Sequence, residues 1–120
     1  MILLDYRDKR PIFEQVVDKL EQLIVSGALE ANSKMPSVRS LGMDLSVNPN
    51  TIHRAYASLE QSGYLYTVSG RGSFVSPRDV WEDGKIDKTL EEFKKALNIS
   101  KDAGVPKEQL HKLIDEAYET

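Results

Sequence analysis

The chain has 120 residues, 40% of them hydrophobic and 29% charged, with a formal net charge of -3; this is the balance of a globular protein with one core and a small appendage, too short for most multi-domain enzymes. It contains no cysteine, and its two histidines, His53 and His111, lie far apart, so disulfides, thiolate chemistry and cysteine-ligated zinc are excluded and no metal or other cofactor is expected. No apolar run reaches the ~18 residues of a membrane span, and the amino end turns charged at Asp5, so no membrane association and no cleavable signal are expected and the chain reads as cytoplasmic.

Pro11 opens a segment in which Phe13, Val16, Val17, Leu20, Leu23 and Ile24 recur at helical spacing, and Gly27 supplies a stop, which predicts a first helix over 11–26. Pro36 and the hydroxyl of Ser37 start a short second helix over 37–46, with Val38, Leu41 and Leu45 on one stripe. After the tight turn Ser46-Val47-Asn48, the cap Asn48 and Pro49 start a third helix that buries Ile52, Ala55, Tyr56 and Leu59 and ends at Gly63. Residues 64–68 and 73–75 are rich in aromatic and β-branched side chains, with the glycines of Ser69-Gly70-Arg71-Gly72 between them, which predicts a hairpin. Helix, helix, tight turn, helix and hairpin is the order of a winged helix-turn-helix. The fold class expected is therefore mainly α with a small β-hairpin: a winged helix-turn-helix over residues 1–77, then a helical tail over 78–120. In that tail Ile86, Leu90, Phe93 and Leu97, and then Leu110, Leu113, Ile114 and Ala117, mark two amphipathic helices. About 41 residues do not enclose a useful core of their own, so these faces are expected to pack on the first domain or, the reading preferred, on a second copy of the chain.

Charge is distributed unevenly. Between 34 and 78 stand five Lys and Arg against two Asp and Glu, whereas 80–120 holds seven lysines against ten acidic residues. The middle segment thus carries the sign that phosphate contacts need. On the polar face of the third helix, Asn50, Thr51, His53 and Arg54 suit groove reading: asparagine pairs with adenine, arginine with guanine, and threonine offers a hydroxyl and a methyl. Ser37 and Arg39 sit where a helix start favours a phosphate, and Gly70-Arg71-Gly72 lets a cation reach the backbone or minor groove. Each signal taken singly also fits a solvated surface.

The run Pro36-Ser37-Val38-Arg39-Ser40-Leu41, continued by Val47-Asn48-Pro49-Asn50-Thr51-Ile52-His53-Arg54-Ala55-Tyr56, Leu59-Glu60, Gly63 and residues 70–75, resembles the GntR family of bacterial regulators over roughly residues 9–76. The short tail resembles the YtrA-like branch. The resemblance implies a repressor on double-stranded DNA with Ser37, Arg39, Asn50, Thr51, Arg54, Gly70 and Arg71 at the DNA; with Asn48, His53 and Gly72 added from the residues beside them, the expectation is a homodimer reading an inverted-repeat operator. The resemblance assigns dimerisation to the tail, hence to Ile86, Leu90, Phe93, Leu97, Leu110, Leu113 and Ile114. Ala31-Asn32 stands where a Pro-Gly turn is common in the family, and Gly42 replaces a common alanine, at an expected cost of up to roughly 1 kcal/mol to the second helix. Asn98-Ile99-Ser100 is a chance match to a glycosylation acceptor, and Glu91-Glu92 and Asp115-Glu116 read as solvated faces rather than catalytic pairs. A winged helix serving protein contacts would more often show aromatic anchors on the third helix, and an enzyme fused to such a domain would need a far longer chain. A small-molecule effector between subunits stays open, with nothing in the sequence to identify it.

Overall fold

Proline and hydroxyl or amide caps start the helices of the first unit. The computed structural model describes Leu4, Asp5 and residues 7–119. Pro11, at φ -54°, caps α1 (Ile12–Val25) from one position outside it. The Ser37 hydroxyl accepts the backbone N–H of Ser40 at 3.1 Å and opens α2 (Val38–Leu45). The Asn48 amide oxygen accepts the N–H of Asn50 at 2.8 Å and, with Pro49 in the first turn, opens α3 (Pro49–Gln61). These bonds satisfy donors that a helix start leaves unpaired. α1 and α2 both pack on α3. Val16, Leu20 and Ile24 of α1, Leu41 of α2, and Ile52, Ala55, Tyr56 and Leu59 of α3 are buried together; each large aliphatic side chain buried in this way contributes roughly 1.5–3 kcal/mol.

The wing follows. β1 (Leu65–Val68) and β2 (Gly72–Val75) pair antiparallel with Leu65 opposite Val75 and Val68 opposite Gly72. The turn closes with the Arg71 N–H on the Val68 carbonyl at 2.9 Å, and Gly70 takes φ +76° there, which a residue with a Cβ adopts only under strain. Residues 32–35 run along the free edge of β2. The Met35 N–H donates to Ser73 at 2.8 Å, the Val75 N–H to Ser33 at 2.9 Å and the Asn32 N–H to Val75 at 2.7 Å, with a bridge between Lys34 and Phe74. Asn32 takes φ +66°, as an asparagine tolerates, and its side chain accepts the Tyr66 hydroxyl at 2.8 Å. The substitution of Ala31-Asn32 for a Pro-Gly turn is thereby absorbed.

Gly42 is better explained by crowding than as a mere weakness of α2. A Cβ built there would lie 2.7 Å from the Val47 carbonyl oxygen, which belongs to the turn into α3. That turn returns close over α2, with Ser46 left-handed at φ +55° and the Val47 N–H on the Gly42 carbonyl at 2.8 Å. The helix-propensity cost expected of a mid-helix glycine is set against this close approach.

The chain divides into two compact units, one through Gly84 and one from Lys85 onward. The helix α4 (Arg78–Asp102) starts in the first unit, where Trp81 is 4% exposed and its ring lies 5.3 Å from that of Tyr64. Arg78 lies over the Trp81 ring at 5.0 Å and donates to the Val25 carbonyl at 3.1 Å. In the second unit the rest of α4 and α5 (Lys107–Tyr118) form a helix pair in which no described residue is buried. The architecture is a mainly helical winged helix-turn-helix followed by a helical tail, and among the described residues no helix is long and apolar enough to cross a membrane.

The Tyr56 hydroxyl ties α3 to the segment before α2: it donates to the Pro36 carbonyl at 2.7 Å, and burial pushes its pKa up to about 12, so it stays a donor at neutral pH. Tyr56→Phe removes the donor and strands that carbonyl. It is expected to lower the unfolding free energy by about 1–2 kcal/mol, read as a shift of the urea midpoint at unchanged slope.

Candidate nucleic-acid interface

The apolar stripe of α3 faces α1 and α2, so its other face is left to solvent by helical periodicity alone. Asn50, His53 and Arg54 are exposed on it, and Thr51, on the flank, is half-buried. The Arg54 guanidinium lies 4.5 Å over the ring of Phe13, a half-buried residue in the first turn of α1. Asn48 spends its side-chain oxygen on the α3 cap, which leaves its NH2 group to donate outward.

A shallow concave surface of about 360 Å³ brings together what the sequence presents as separate pieces. Ser37 at the start of α2 and Arg71 and Gly72 of the wing line it, with Lys34, Ser73 and the Tyr56 side chain. The edge pairing of residues 32–35 with β2 is what carries the wing to the start of α2. Ser37 uses its oxygen to accept from Ser40 and keeps its O–H proton for an outside acceptor. Lys34 was not singled out in the sequence; its position one residue before Met35-Pro36-Ser37 was the available signal. Arg39 is exposed on α2, and Gly70 is exposed at the tip of the wing.

Three other arginines of the first unit are matched by carboxylates. Arg7 pairs with Asp5, Arg10 with Asp8 and Asp18, and Arg78 with Glu82. The Arg10 backbone N–H, and after it the hydrogen bonds of its guanidinium, hold the Asp8 carboxyl below its ordinary range. Among the described residues, Lys34, Arg39 and Arg71 have no such carboxylate partner. Three cations left without a counter-charge on α2 and the wing suit a polyanion. No group of His, Asp and Glu among the described residues is arranged to hold a metal ion.

In the second unit, Leu90, Phe93, Leu97, Leu110, Leu113 and Ile114 line one apolar groove of about 490 Å³ between α4 and α5, together with Thr89, Ala117 and Tyr118. Ile86 is exposed on the same stripe of α4, one turn before Leu90. Leu97 and Leu110 are half-buried, and the other five residues assigned to dimerisation are exposed.

Known proteins match this arrangement. The model of the bacterial regulatory proteins of the gntR family matches residues 12–75, from the start of α1 to the end of β2. Over 118 residues the chain is 36% identical to the HTH-type transcriptional repressor YtrA of Bacillus subtilis, spanning 97% of this chain and 91% of that one. The structure of a GntR family transcriptional regulator from Listeria monocytogenes is similar with a TM-score of 0.72 at 33% identity, over 94% of this chain and 98% of that one. The structure of AraR(DBD) in complex with operator ORE1 is similar with a TM-score of 0.54 at 29% identity, over 63% of this chain and 93% of that one. The chain belongs to the GntR family of bacterial regulatory proteins, and it is a DNA-binding transcription regulator rather than an enzyme.

Proposed function

We propose that the protein acts in the cytoplasm as a homodimeric repressor that binds an inverted repeat, each copy reading one half-site. Lys34, Ser37, Arg39 and Arg71 take the phosphates, with Gly70 and Gly72 letting the wing approach closely. The early α3 residues Asn50, Thr51, His53 and Arg54 read base edges, and Asn48 donates at the start of that helix. Arg39, next to the α2 start, also reaches toward a base. The observation that carries this reading is that the exposed cations Lys34, Arg39 and Arg71 have no carboxylate partner among the described residues, while Arg7, Arg10 and Arg78 are paired. Repression is inferred from the likeness to YtrA of Bacillus subtilis, which is named a repressor.

The second copy is argued from the tail. With no buried residue between Lys85 and Glu119, the α4–α5 pair leaves Phe93 46%, Leu90 51% and Leu113 55% exposed, more than a lone helix pair tolerates in water. The same stretch carries seven lysines and eight acidic residues, a balance that lets it meet its own copy without net repulsion. A two-fold axis through the protein matches that of an inverted repeat.

Arg39→Ala is expected to weaken binding to the protein's selected duplex by about 1–3 kcal/mol in a mobility-shift titration; unchanged affinity removes Arg39 from the interface. Arg71→Ala is expected to lower the slope of log affinity against log salt by about one unit, and an unaltered slope counts against the wing contact. In analytical ultracentrifugation at micromolar concentration the wild type is expected at twice the chain mass. Phe93→Asp, by bringing a charge into the apolar contact, should raise the dimer dissociation constant at least about a hundred-fold. A monomeric wild type ends the two-fold reading.

A further inference from the structure

We propose that Phe13 on α1, which need not touch DNA itself, sets the sequence specificity of α3 by holding the Arg54 guanidinium in its reading position. The inference rests on the reading of α3 as the groove-reading helix and adds a positioning residue to it. Arg54 is an exposed side chain on the early part of α3, and a free arginine there would sample many rotamers, most of them aimed away from a base edge. Its guanidinium instead lies 4.5 Å from the centroid of the Phe13 ring. Phe13 is half-buried against the core cluster, so the ring is itself anchored.

The chemistry of the contact decides its use. A guanidinium has two π faces and five N–H donors in its plane, and an aromatic ring engages a face while leaving the edge free. A carboxylate partner would take the same in-plane donors that a guanine O6 and N7 require. Arg7, Arg10 and Arg78 each have such a partner, whereas Arg54 has none among the described residues. The ring therefore restrains the side chain without consuming the groups that would read the base. Lysine at position 54 would not substitute, since an ammonium has no planar edge to present.

The test starts with selection of a bound duplex from a random-sequence pool by the full-length protein, and that duplex is the probe. Anisotropy titrations with wild type, Phe13→Leu, Arg54→Ala and the double variant are expected to show Phe13→Leu weakening binding about two- to five-fold. The loss should vanish on an unrelated duplex, vanish in the Arg54→Ala background and leave the salt slope unchanged, while Phe13→Tyr binds as wild type. Wild-type affinity in Phe13→Leu, or an equal loss with Arg54 already removed, overturns the proposal and leaves Phe13 a packing residue. Arg54→Lys is an independent probe at an exposed position, for use even if Phe13→Leu melts early. It should fall to the Arg54→Ala level on the selected duplex, and retention of wild-type discrimination overturns the planar read-out. If the pool enriches no consensus at all, sequence-specific binding itself falls and takes this inference with it; a consensus without coupling overturns the inference alone.

Discussion

α3 is divided lengthwise between two environments, and the rest of the first unit depends on that division being rigid. Ile52 and Ala55 are wholly buried and Leu59 nearly so, which fixes the rotation of the helix about its axis to within the tolerance of a close-packed core. A helix held in this way presents Asn50, His53 and Arg54 outward without any further device. Tyr56 extends the constraint beyond the helix. Its ring is part of the core, and its hydroxyl holds the Pro36 carbonyl immediately before the cap of α2. α3 and the start of α2 are thus set against each other through one side chain, and residues 32–35 pass that registration on to the wing through their pairing with β2. A displacement of α3 would move all three surfaces together.

What was legible in the sequence follows from where the decisive interactions lie along the chain. Local ones were visible: the Ser37 and Asn48 caps, the prolines beside them, the apolar spacing of α1 and α3 and the glycines of the wing all act within a few residues of themselves. The three helices and the hairpin of the first unit were found to within a residue or two of their observed bounds, whereas the tail helices were legible only as apolar stripes. Non-local ones were not. Residues 32–35 become strand-like only because β2 offers a free edge, and four residues are too few to display a period of two. Trp81 joins the core against Tyr64, yet in the sequence it stands ahead of the stripe that begins at Ile86, and no spacing connects it with a wing residue. Gly42 looked like a weakness in α2 because propensity is counted along a helix, whereas the crowding that explains it comes from the returning carbonyl of Val47. Arg54 was correctly placed on the exposed face of α3, but its cation–π contact with Phe13 spans 41 positions of chain and leaves no periodic trace.

The acidic balance of the whole chain and its place on DNA are reconciled by this geometry. Over a Debye length of roughly 8 Å at physiological salt, a phosphate is influenced by the charges facing it rather than by the sum over 120 residues. Lys34, Arg39 and Arg71 project from the edge segment, α2 and the wing with no carboxylate partner among the described residues. If these cations make the phosphate contacts, as proposed, so few per copy would supply only a modest non-specific affinity, since that affinity grows with the number of counterions released. Discrimination must then come from base edges, and holding a reading side chain in position before docking becomes correspondingly more valuable. Joining two such copies multiplies a weak half-site affinity by the effective concentration of the second domain. On the homodimeric reading proposed above, a modest cationic face and an open tail groove are consequences of one arrangement: a copy alone would hold DNA weakly, and the apolar face that alone would be a liability in water would recruit the second copy.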